Sequence, residues 1–342
     1  MRVFLSAALA VFIALPAFSA EPLRDIVFGS CLDTHEHPML DRTLTLPRDL
    51  FIFMGDNMYA DKGGIPMMKE KYALLKQSRF YQGLKAKGSI LATWDDHDFG
   101  LNDGGADYPH KHEAQTEFWN WLDEPADSPR RQQEGVYHTQ TFGPEGKRVQ
   151  VILLDTRYFR SPLKKLPLAQ ALVGGRYTAS DDTSTTMLGE AQWAWLEKAL
   201  REPAELRLIV SSIEFAAEMQ GFESWANLPH EQQHMIDILK RTRAQGVLFL
   251  SGDRHWCELS RIDGPGYPLY DLTASSMTQK HPRGTPTNNK NRVLPKTYHL
   301  PNVGTMNIDW QSDPLITMKI IDLEGNPQLE HTMRLSELKT KP

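Results

Sequence analysis

The chain contains little cysteine, no long run of charge of one sign, and no long apolar stretch outside its N-terminus. Only two of its 342 residues are cysteines, so it forms at most one internal disulfide. The net charge is -5, and basic residues do not cluster, which argues against a nucleic-acid-binding protein. The remaining composition, 40% hydrophobic and 24% charged, is typical of a globular protein with ample core-forming residues.

The N-terminus has the pattern of a secretory signal peptide. Arg2 precedes the apolar stretch Val3–Leu15, and small residues follow as far as Ala20. This stretch is shorter than the roughly 20 residues of a membrane span, although an uncleaved anchor helix is the alternative. A twin-arginine pair is lacking, which favours Sec-type export. We therefore predict a signal peptide over residues 1–20 and a periplasmic or secreted mature protein without a transmembrane span.

Short apolar runs and amphipathic segments alternate along the first two thirds of the chain. The runs that predict buried strands are Ile26–Phe28, Leu50–Met54, Ile90–Thr93, Val149–Leu154, Leu208–Val210 and Val247–Leu250. The segments that predict helices are Met68–Lys76, His112–Leu122, Gly189–Leu200 and Pro229–Gln245. Three later runs, Tyr267–Thr273, Val303–Trp310 and Leu315–Ile321, predict antiparallel strands. This order indicates an α/β core with mixed sheets.

Five of the predicted strands run directly into side chains that ligate metals or carry charge. The segments that follow them are Gly29–Cys31, Gly55–Tyr59, Trp94–Asp98, Asp155–Arg157 and Ser251–His255. In open α/β sheets the binding crevice lies outside the carboxyl ends of the strands. We therefore predict that these five segments form one active site.

The residue types in these segments suit metal-assisted hydrolysis. Aspartate, histidine, tyrosine and a thiolate together ligate ferric iron or a mixed pair of metals. Crowded carboxylates raise each other's pKa, and a bound cation removes this repulsion. Two cations that share a carboxylate would bind phosphate oxygens and activate water. Asp56 is the natural bridge, because Gly55 before it lets the backbone approach closely.

Six motifs in this order resemble a known family. They are Phe28-Gly-Ser-Cys31, Phe53-Met-Gly-Asp-Asn-Met-Tyr-Ala-Asp61, Trp94-Asp-Asp-His-Asp98 with Asn102-Asp103, Leu154-Asp-Thr-Arg-Tyr-Phe-Arg160, Leu188-Gly-Glu-Ala-Gln-Trp-Ala-Trp-Leu196 and Leu250-Ser-Gly-Asp-Arg-His255. The chain thereby resembles the alkaline phosphatase D family, the PhoD-like metallophosphatases, over most of residues 26–276. The resemblance implies an α/β fold, a four-layer α-β-β-α sandwich with two mixed sheets. It also implies a single domain over residues 21–342, without the N-terminal β-sandwich domain of the family's larger members.

The resemblance implies a function and a set of site residues. The expected enzyme is an exported hydrolase of phosphoric monoesters or diesters that holds Fe(3+) and Ca(2+), other divalent metals being possible. The iron would take Cys31, Asp56 and Tyr59, the second metal Asp96, Asn102 and Asp253, and His255 would complete either. His97 would contact the substrate and protonate the leaving oxygen. Arg157 is the candidate to hold the phosphate by bidentate hydrogen bonds, and Arg254 is a second substrate-binding candidate.

Several alternatives remain open at the level of sequence. Cys31 could form a disulfide with Cys257, since an oxidising compartment permits one. His230-Glu-Gln-Gln-His234 matches the HExxH pattern of zinc proteases, but no third ligand accompanies it. A phospholipase-D-type phosphodiesterase and a non-catalytic metal- or ligand-binding protein are the other functions. The expected partner is a small-molecule or lipid phosphoester, and no stable nucleic-acid partner is expected.

Overall fold

The computed structural model describes residues 21–167, 176–218, 221–281 and 288–341. The predicted signal peptide over residues 1–20 lies outside them. Among the helices of the described residues, none combines the length and the apolar character that a membrane crossing requires.

The first sheet contains both the start and the end of the described chain. Its strands are β1 (Asp25–Gly29), β2 (Leu50–Met54), β3 (Ser89–Thr93), β10 (Val303–Asp309), β11 (Leu315–Ile321) and β12 (Pro327–Arg334). They lie in the order β12-β11-β10-β1-β2-β3. β1, β2 and β3 are parallel, whereas β10 runs antiparallel to β1, and β11 and β12 continue antiparallel. The sheet is therefore mixed.

The second sheet is formed by the middle of the chain. Its strands are β4 (His138–Phe142), β5 (Val149–Leu153), β6 (Leu206–Val210), β7 (Val247–Ser251), β8 (Cys257–Asp263) and β9 (Pro268–Ala274), in the order β4-β5-β6-β7-β9-β8. The prediction that the strand near 267–273 is purely antiparallel is wrong. Because β8 folds back as the outer strand of a hairpin, β9 lies beside β7 and runs parallel to it.

The helices connect the parallel strands. They are α1 (Pro38–Thr45), α2 (Gly64–Gln77), α3 (Arg79–Lys85), α4 (Asp96–Phe99), α5 (Lys111–Trp121), α6 (Pro129–Gln132), α7 (Gly189–Ala199) and α8 (Pro229–Thr242), with 3-10 turns at Trp225–Asn227 and Leu335–Leu338. The four predicted helices are present within a few residues of their predicted bounds. α8 ends before the predicted stop at Gly246, because Arg243 adopts the left-handed conformation with φ 56° and caps the helix.

Alternating side chains of β1 and β2 divide the apolar interior into two cores. Ile26 and Ile52 point to one face and pack with residues of the second sheet such as Val151. Val27 and Phe51 point to the other face and pack under helices α1, α2, α3 and α5. Side chains alternate between the two faces of a strand. A strand that is apolar at every position is therefore buried on both faces. The result is helices, sheet, sheet and helices in four layers, which confirms the predicted fold class.

The two sheets meet at the carboxyl ends of their parallel strands. A parallel bridge between Ser30, which follows β1, and Ser275, which follows β9, connects the sheets there. The segments that follow β2, β3, β5, β6 and β7 leave their sheets at the same end, since these strands are parallel within each sheet. The fold thus gathers the polar strand ends in one place.

Candidate metal centre

Backbone strain is concentrated at these strand ends. Four non-glycine residues that follow strands have φ in the left-handed region, namely Cys31 (59°), Asp56 (52°), Asp253 (68°) and His255 (58°). Asp103 (53°), on the loop after α4, is a fifth in contact with the same region. Each such conformation costs about 1–3 kcal/mol and persists only where the surroundings hold it. This clustering is typical of a functional site.

The turn after β2 is locked against the turn after β3. Gly55 has φ 104°, and a Cβ atom there would lie 2.6 Å from the Cβ of Asp95, so only glycine fits. The Asp98 carboxylate accepts hydrogen bonds from the backbone N–H groups of Asp56 (3.0 Å), Asn57 (3.2 Å) and Asp95 (2.7 Å). Asp98 therefore has a structural role, because its hydrogen bonds fix both the turn after β2 and the turn after β3.

The first group of candidate ligands combines four different donors. The Tyr59 hydroxyl lies 3.2 Å from Asp56 Oδ2 and 3.1 Å from His255 Nε2. Cys31 Sγ lies 3.5 Å from the same Asp56 oxygen. The Ser275 hydroxyl lies 3.1 Å from Cys31 Sγ and accepts a hydrogen bond from the His255 backbone at 2.8 Å. Thiol, carboxylate, phenol and imidazole therefore converge on one point, as the sequence predicts.

The two cysteines do not form a disulfide, so the disulfide alternative is wrong for this structure. Both are buried and free. The Cys257 thiol donates to Asn302 Oδ1 at 2.8 Å, whereas Cys31 faces Asp56 and Ser275.

The second group consists of carboxylates alone. Oxygens of Asp56, Asp95, Asp96 and Asp253 lie within 4.8 Å of one another. Asp95 Oδ2 and Asp96 Oδ1 are buried and have no hydrogen-bond partner. Buried carboxylate oxygens of this kind are normally paired or bound to a cation. Since Asp56 belongs to both groups, it has the position of a bridge between two cations.

The electrostatics of the protein alone disfavour the charged forms of most of these ligands. Burial, and then the nearby charge of Asp96, raise the pKa of Asp56 well above its ordinary value. Burial likewise raises the pKa of Asp253 to about 8 and that of Cys31 to about 12. Burial lowers the pKa of His255 to about 4, which keeps its imidazole neutral. A cation would reverse the first three shifts by stabilising the anionic ligands, so the donor set fits a metal centre.

Asp96 is the exception among these ligands. Burial would raise its pKa, but the charges of Arg157 and His97 outweigh burial and lower this pKa to about 2.

Asn102 does not join the carboxylate group in this structure. It is exposed on the loop after α4. Its neighbour Asp103 turns inward instead, and its backbone N–H donates to Asp96 Oδ2 at 2.8 Å. The Asp103 carboxylate lies close to those of Asp96 and Glu223, with ligand oxygens within 4.8 Å. The left-handed conformation of Asp103 thus brings in the residue next to the predicted one.

His97 lies at the edge of the centre, where a ring nitrogen is within 4.8 Å of ligand oxygens of Asp56 and Asp96. Its Nδ1 lies 2.8 Å from Asp61 Oδ1, and its ring packs on Tyr59 with centroids 4.0 Å apart. The His97 side chain keeps 19% of its surface exposed. Burial alone would lower the pKa of His97, but the charges of Asp96 and Asp61 outweigh it and raise this pKa. Asp61 therefore fixes one ring nitrogen and orients the imidazole.

The structure contradicts the direct phosphate contact predicted for Arg157. Its guanidinium is fully buried, with Nε 2.6 Å from Asp95 Oδ1 and Nη1 2.8 Å from Glu223 Oε2. The neighbouring Arg160 also pairs with Glu223, at 2.8 Å. No surface of Arg157 is available to a substrate. Its charge instead neutralises two buried carboxylates and orients Asp95 toward the second ligand group.

Arg254 lies beside the second group, as expected for a substrate-binding residue. Its Nη1 is 3.2 Å from Asp253 Oδ2, and 11% of its side chain remains exposed. It is thus a cation at the border of the centre, in contrast to the enclosed Arg157.

Four residues with a place in the centre were not assigned one from the sequence. Asp95 was seen in its motif but not as a ligand, Asp61 lies within a quoted motif, and Ser275 follows β9, a sixth strand end. These three carried a signal in their position. Glu223 lies in an irregular segment, and no local pattern identifies it.

The HExxH segment forms no metal site in this structure. His230 Nε2 lies 2.7 Å from the Thr185 carbonyl oxygen, and the His234 ring packs on Trp193 with centroids 4.6 Å apart. The Glu231 carboxylate accepts a hydrogen bond from the Trp193 indole at 2.9 Å. Since these contacts tie the start of α8 to α7, the segment is structural and the zinc-protease interpretation has no support.

One solved structure has a similar fold. The structure titled "Structure of PhoD" matches with a TM-score of 0.65 and 17% identity, over 96% of this chain and 74% of that chain. A crystal structure of the Thermus thermophilus protein TT1561 aligns with a TM-score of only 0.39 and 11% identity, over 92% of this chain and 99% of that chain. The comparison with curated proteins gave no sequence match.

The family comparison is more specific. The profile described as PhoD-like phosphatase matches residues 36–310, well over half of the chain. The matched residues include Asp56, Tyr59, the turn after β3, Asp253 and His255, whereas Cys31 precedes them. This chain belongs to the PhoD-like phosphatase family.

Proposed function

We propose that the protein is an exported phosphoester hydrolase that depends on two metal ions sharing Asp56. The observation that supports this most strongly is the pair of ligand groups that meet at Asp56, with buried oxygens of Asp95 and Asp96 left without a partner. Family membership supports the reaction class. Export rests on the N-terminal pattern alone, and mass spectrometry of a mature chain beginning near residue 21 would test it.

We infer the metal in each group from the types of its donor atoms. Cys31, Asp56, Tyr59 and His255 would hold Fe(3+), because thiolate and phenolate suit a ferric ion. Asp56, Asp95, Asp96 and Asp253 would hold Ca(2+), because the set is entirely oxygen. When bound, the two cations would supply positive charge for the phosphoryl oxygens and would lower the pKa of water.

The chain's own contribution to bond cleavage is proposed to come from His97. Asp61 holds Nδ1, and the Tyr59 ring fixes the plane of the imidazole. The Nε2 atom is then directed to donate a proton to the leaving oxygen. A positioned general acid of this kind contributes about 10²–10⁴-fold to a rate.

Substitution of His97 and Asp61 tests this assignment. We expect His97→Asn to lower kcat about a hundredfold or more with metal content retained. The metal is retained because the two proposed ligand groups do not include His97, although its ring nitrogen lies within 4.8 Å of Asp56 and Asp96 oxygens. Asp61→Asn should lower kcat less, since it weakens only the orientation of the ring. A nitrophenyl ester with a very acidic leaving group needs no proton, so both losses should shrink on it. If kcat fell equally on esters with good and with poor leaving groups, His97 would not be the general acid.

The substrate is proposed to be a small-molecule or lipid phosphoester, and the same centre would serve a monoesterase or a phospholipase-D-type diesterase. The test is hydrolysis of nitrophenyl phosphate and of bis-nitrophenyl phosphate, measured before and after chelation and again after calcium is returned. We expect turnover of at least one ester, its loss with chelator and its recovery with metal. Failure on both esters with metals loaded would leave a non-catalytic metal- or ligand-binding protein.

A further inference from the structure

Two neighbouring aromatic rings pack against the side chain of Arg254. Its Cζ atom lies 4.4 Å from the centroid of Phe222 and 5.4 Å from that of Trp256. Its Nη1 also donates to the Glu223 carbonyl oxygen at 3.3 Å. A guanidinium over an aromatic face at these distances gains about 0.5–2 kcal/mol, and more when it is shielded from water.

Of the three arginines that the described residues place against Asp95, Glu223 or Asp253, Arg254 retains the most exposed surface. The side chains of Arg157 and Arg160 are 0% and 1% exposed, and both pair with buried carboxylates, Arg157 with Asp95 and Glu223 and Arg160 with Glu223. Arg254 shows 11%, and its buried Nε has no hydrogen-bond partner. Because Nη1 is already occupied and Nε is buried, Nη2 presents the N–H edge that remains to donate, beside Asp253 of the second ligand group.

The two rings differ in how firmly they are held. Trp256 is fully buried, and its indole N–H donates to Glu258 Oε1 at 3.1 Å. Phe222 is only partly buried and meets Trp256 edge-on, with centroids 5.8 Å apart. Trp256 is therefore the fixed ring of the pair, and Phe222 is the less firmly held ring, which packs closer to the guanidinium. An arginine side chain loses up to about 2 kcal/mol of rotamer freedom when it is ordered, so a ring that orders it in advance strengthens later binding.

We propose that Phe222 is a positioning residue for substrate binding: its ring holds Arg254 so that the remaining N–H edge meets the substrate's phosphoryl oxygens beside the second metal position. This inference rests on the proposed function and adds the residue that orients the substrate-binding arginine. Phe222 touches no reacting atom, and its effect passes through Arg254.

Steady-state kinetics of the metal-loaded protein test the proposal. Phe222→Leu removes the ring but keeps an apolar side chain, and we expect KM to rise about tenfold with kcat within about threefold of the wild type. Phe222→Tyr keeps the ring and should restore KM. Tyr270→Leu is the matched control, because it also removes a ring that packs against an arginine. The Tyr270 ring centroid lies 5.9 Å from Cζ of Arg261 on β8, and this pair is away from the metal centre. The control should leave KM unchanged.

A double-mutant cycle with Arg254→Gln separates positioning from a general structural effect. We expect Phe222→Leu to raise KM in the wild-type background and to add nothing once Arg254 is replaced. Independent, multiplicative effects of the two substitutions would overturn the proposal. So would a tyrosine variant as defective as the leucine variant.

Calorimetric titration with inorganic phosphate gives a second readout that does not require turnover. If the metal-loaded wild type hydrolyses neither ester, the proposed function fails, and the same cycle measured on the phosphate Kd decides the inference. Coupling between Phe222 and Arg254 in Kd supports it, and an absence of coupling overturns it. A wild-type protein that binds no phosphate would contradict both.

Discussion

Replacing Asp56 with asparagine is expected to reduce turnover about a thousandfold or more and to remove bound metal. Asp56 belongs to both ligand groups, and its oxygens also meet Tyr59 and the backbone of His97. A neutral amide has nearly the same shape but cannot bridge two cations with a full negative charge. Elemental analysis and an ester assay on the same preparation measure both losses. Asp107→Asn, an exposed carboxylate on the loop after α4, is the matched control and should retain metal and activity.

The same variant should separate metal binding from folding. A ligand that binds the folded state stabilises it, so chelator should lower the melting temperature of the wild type. It should not lower that of Asp56→Asn, which has little metal to lose. In chelator we expect the variant to melt at or above the wild type, because one of the crowded buried carboxylates has gone. A variant that keeps full activity, or that melts far below the metal-free wild type, would refute the bridging role.

Replacing Arg157 with methionine is expected to destabilise the fold by about 3–5 kcal/mol. The substitution leaves Asp95 and Glu223 buried without their partner, and removal of one member of a buried ion pair has a cost of this order. Turnover should fall as well, since Asp95 loses the contact that orients it. Denaturant unfolding in the presence of chelator measures the free energy of unfolding of the metal-free protein.

A surface arginine provides the control for this experiment. Arg148 pairs with Glu205 at 2.8 Å, and both side chains are 22% exposed. Arg148→Met should cost no more than about 1 kcal/mol. If Arg157→Met left unfolding unchanged and raised only KM, Arg157 would be a substrate ligand, as the sequence pattern suggested, and the positioning role would be wrong.

The strand ends could be predicted from the sequence because burial leaves a strong local pattern. Leu50–Met54 and Val247–Ser251 are continuous apolar runs followed by glycine and aspartate, and they are buried throughout. By contrast, β4, β8 and β12 are not among the predicted strands. All three lie at sheet edges, and their sequences, His-Thr-Gln-Thr-Phe, Cys-Glu-Leu-Ser-Arg-Ile-Asp and Pro-Gln-Leu-Glu-His-Thr-Met-Arg, are mostly polar with partly exposed residues.

The site shows the same division between local pattern and tertiary contact. Asp56, Tyr59, Asp253 and His255 follow recognisable strands, so their convergence was predictable from the topology. The role of Arg157 was not, because the residue that encloses it, Glu223, is distant in sequence and lies outside any regular element. Asn102 and Asp103 differ only in which of them the left-handed turn points inward. Such choices depend on backbone conformation rather than on residue type.

The most direct test of the proposed two-metal centre is elemental analysis of the purified mature protein together with its visible absorption spectrum. We expect two metals per chain, iron and calcium. We also expect a tyrosinate-to-iron charge-transfer band that disappears in Tyr59→Phe. Active protein that contains zinc alone, or that shows no such band with iron present, would contradict the assignment of Cys31, Asp56, Tyr59 and His255. Active protein without any bound metal would contradict the shared centre itself.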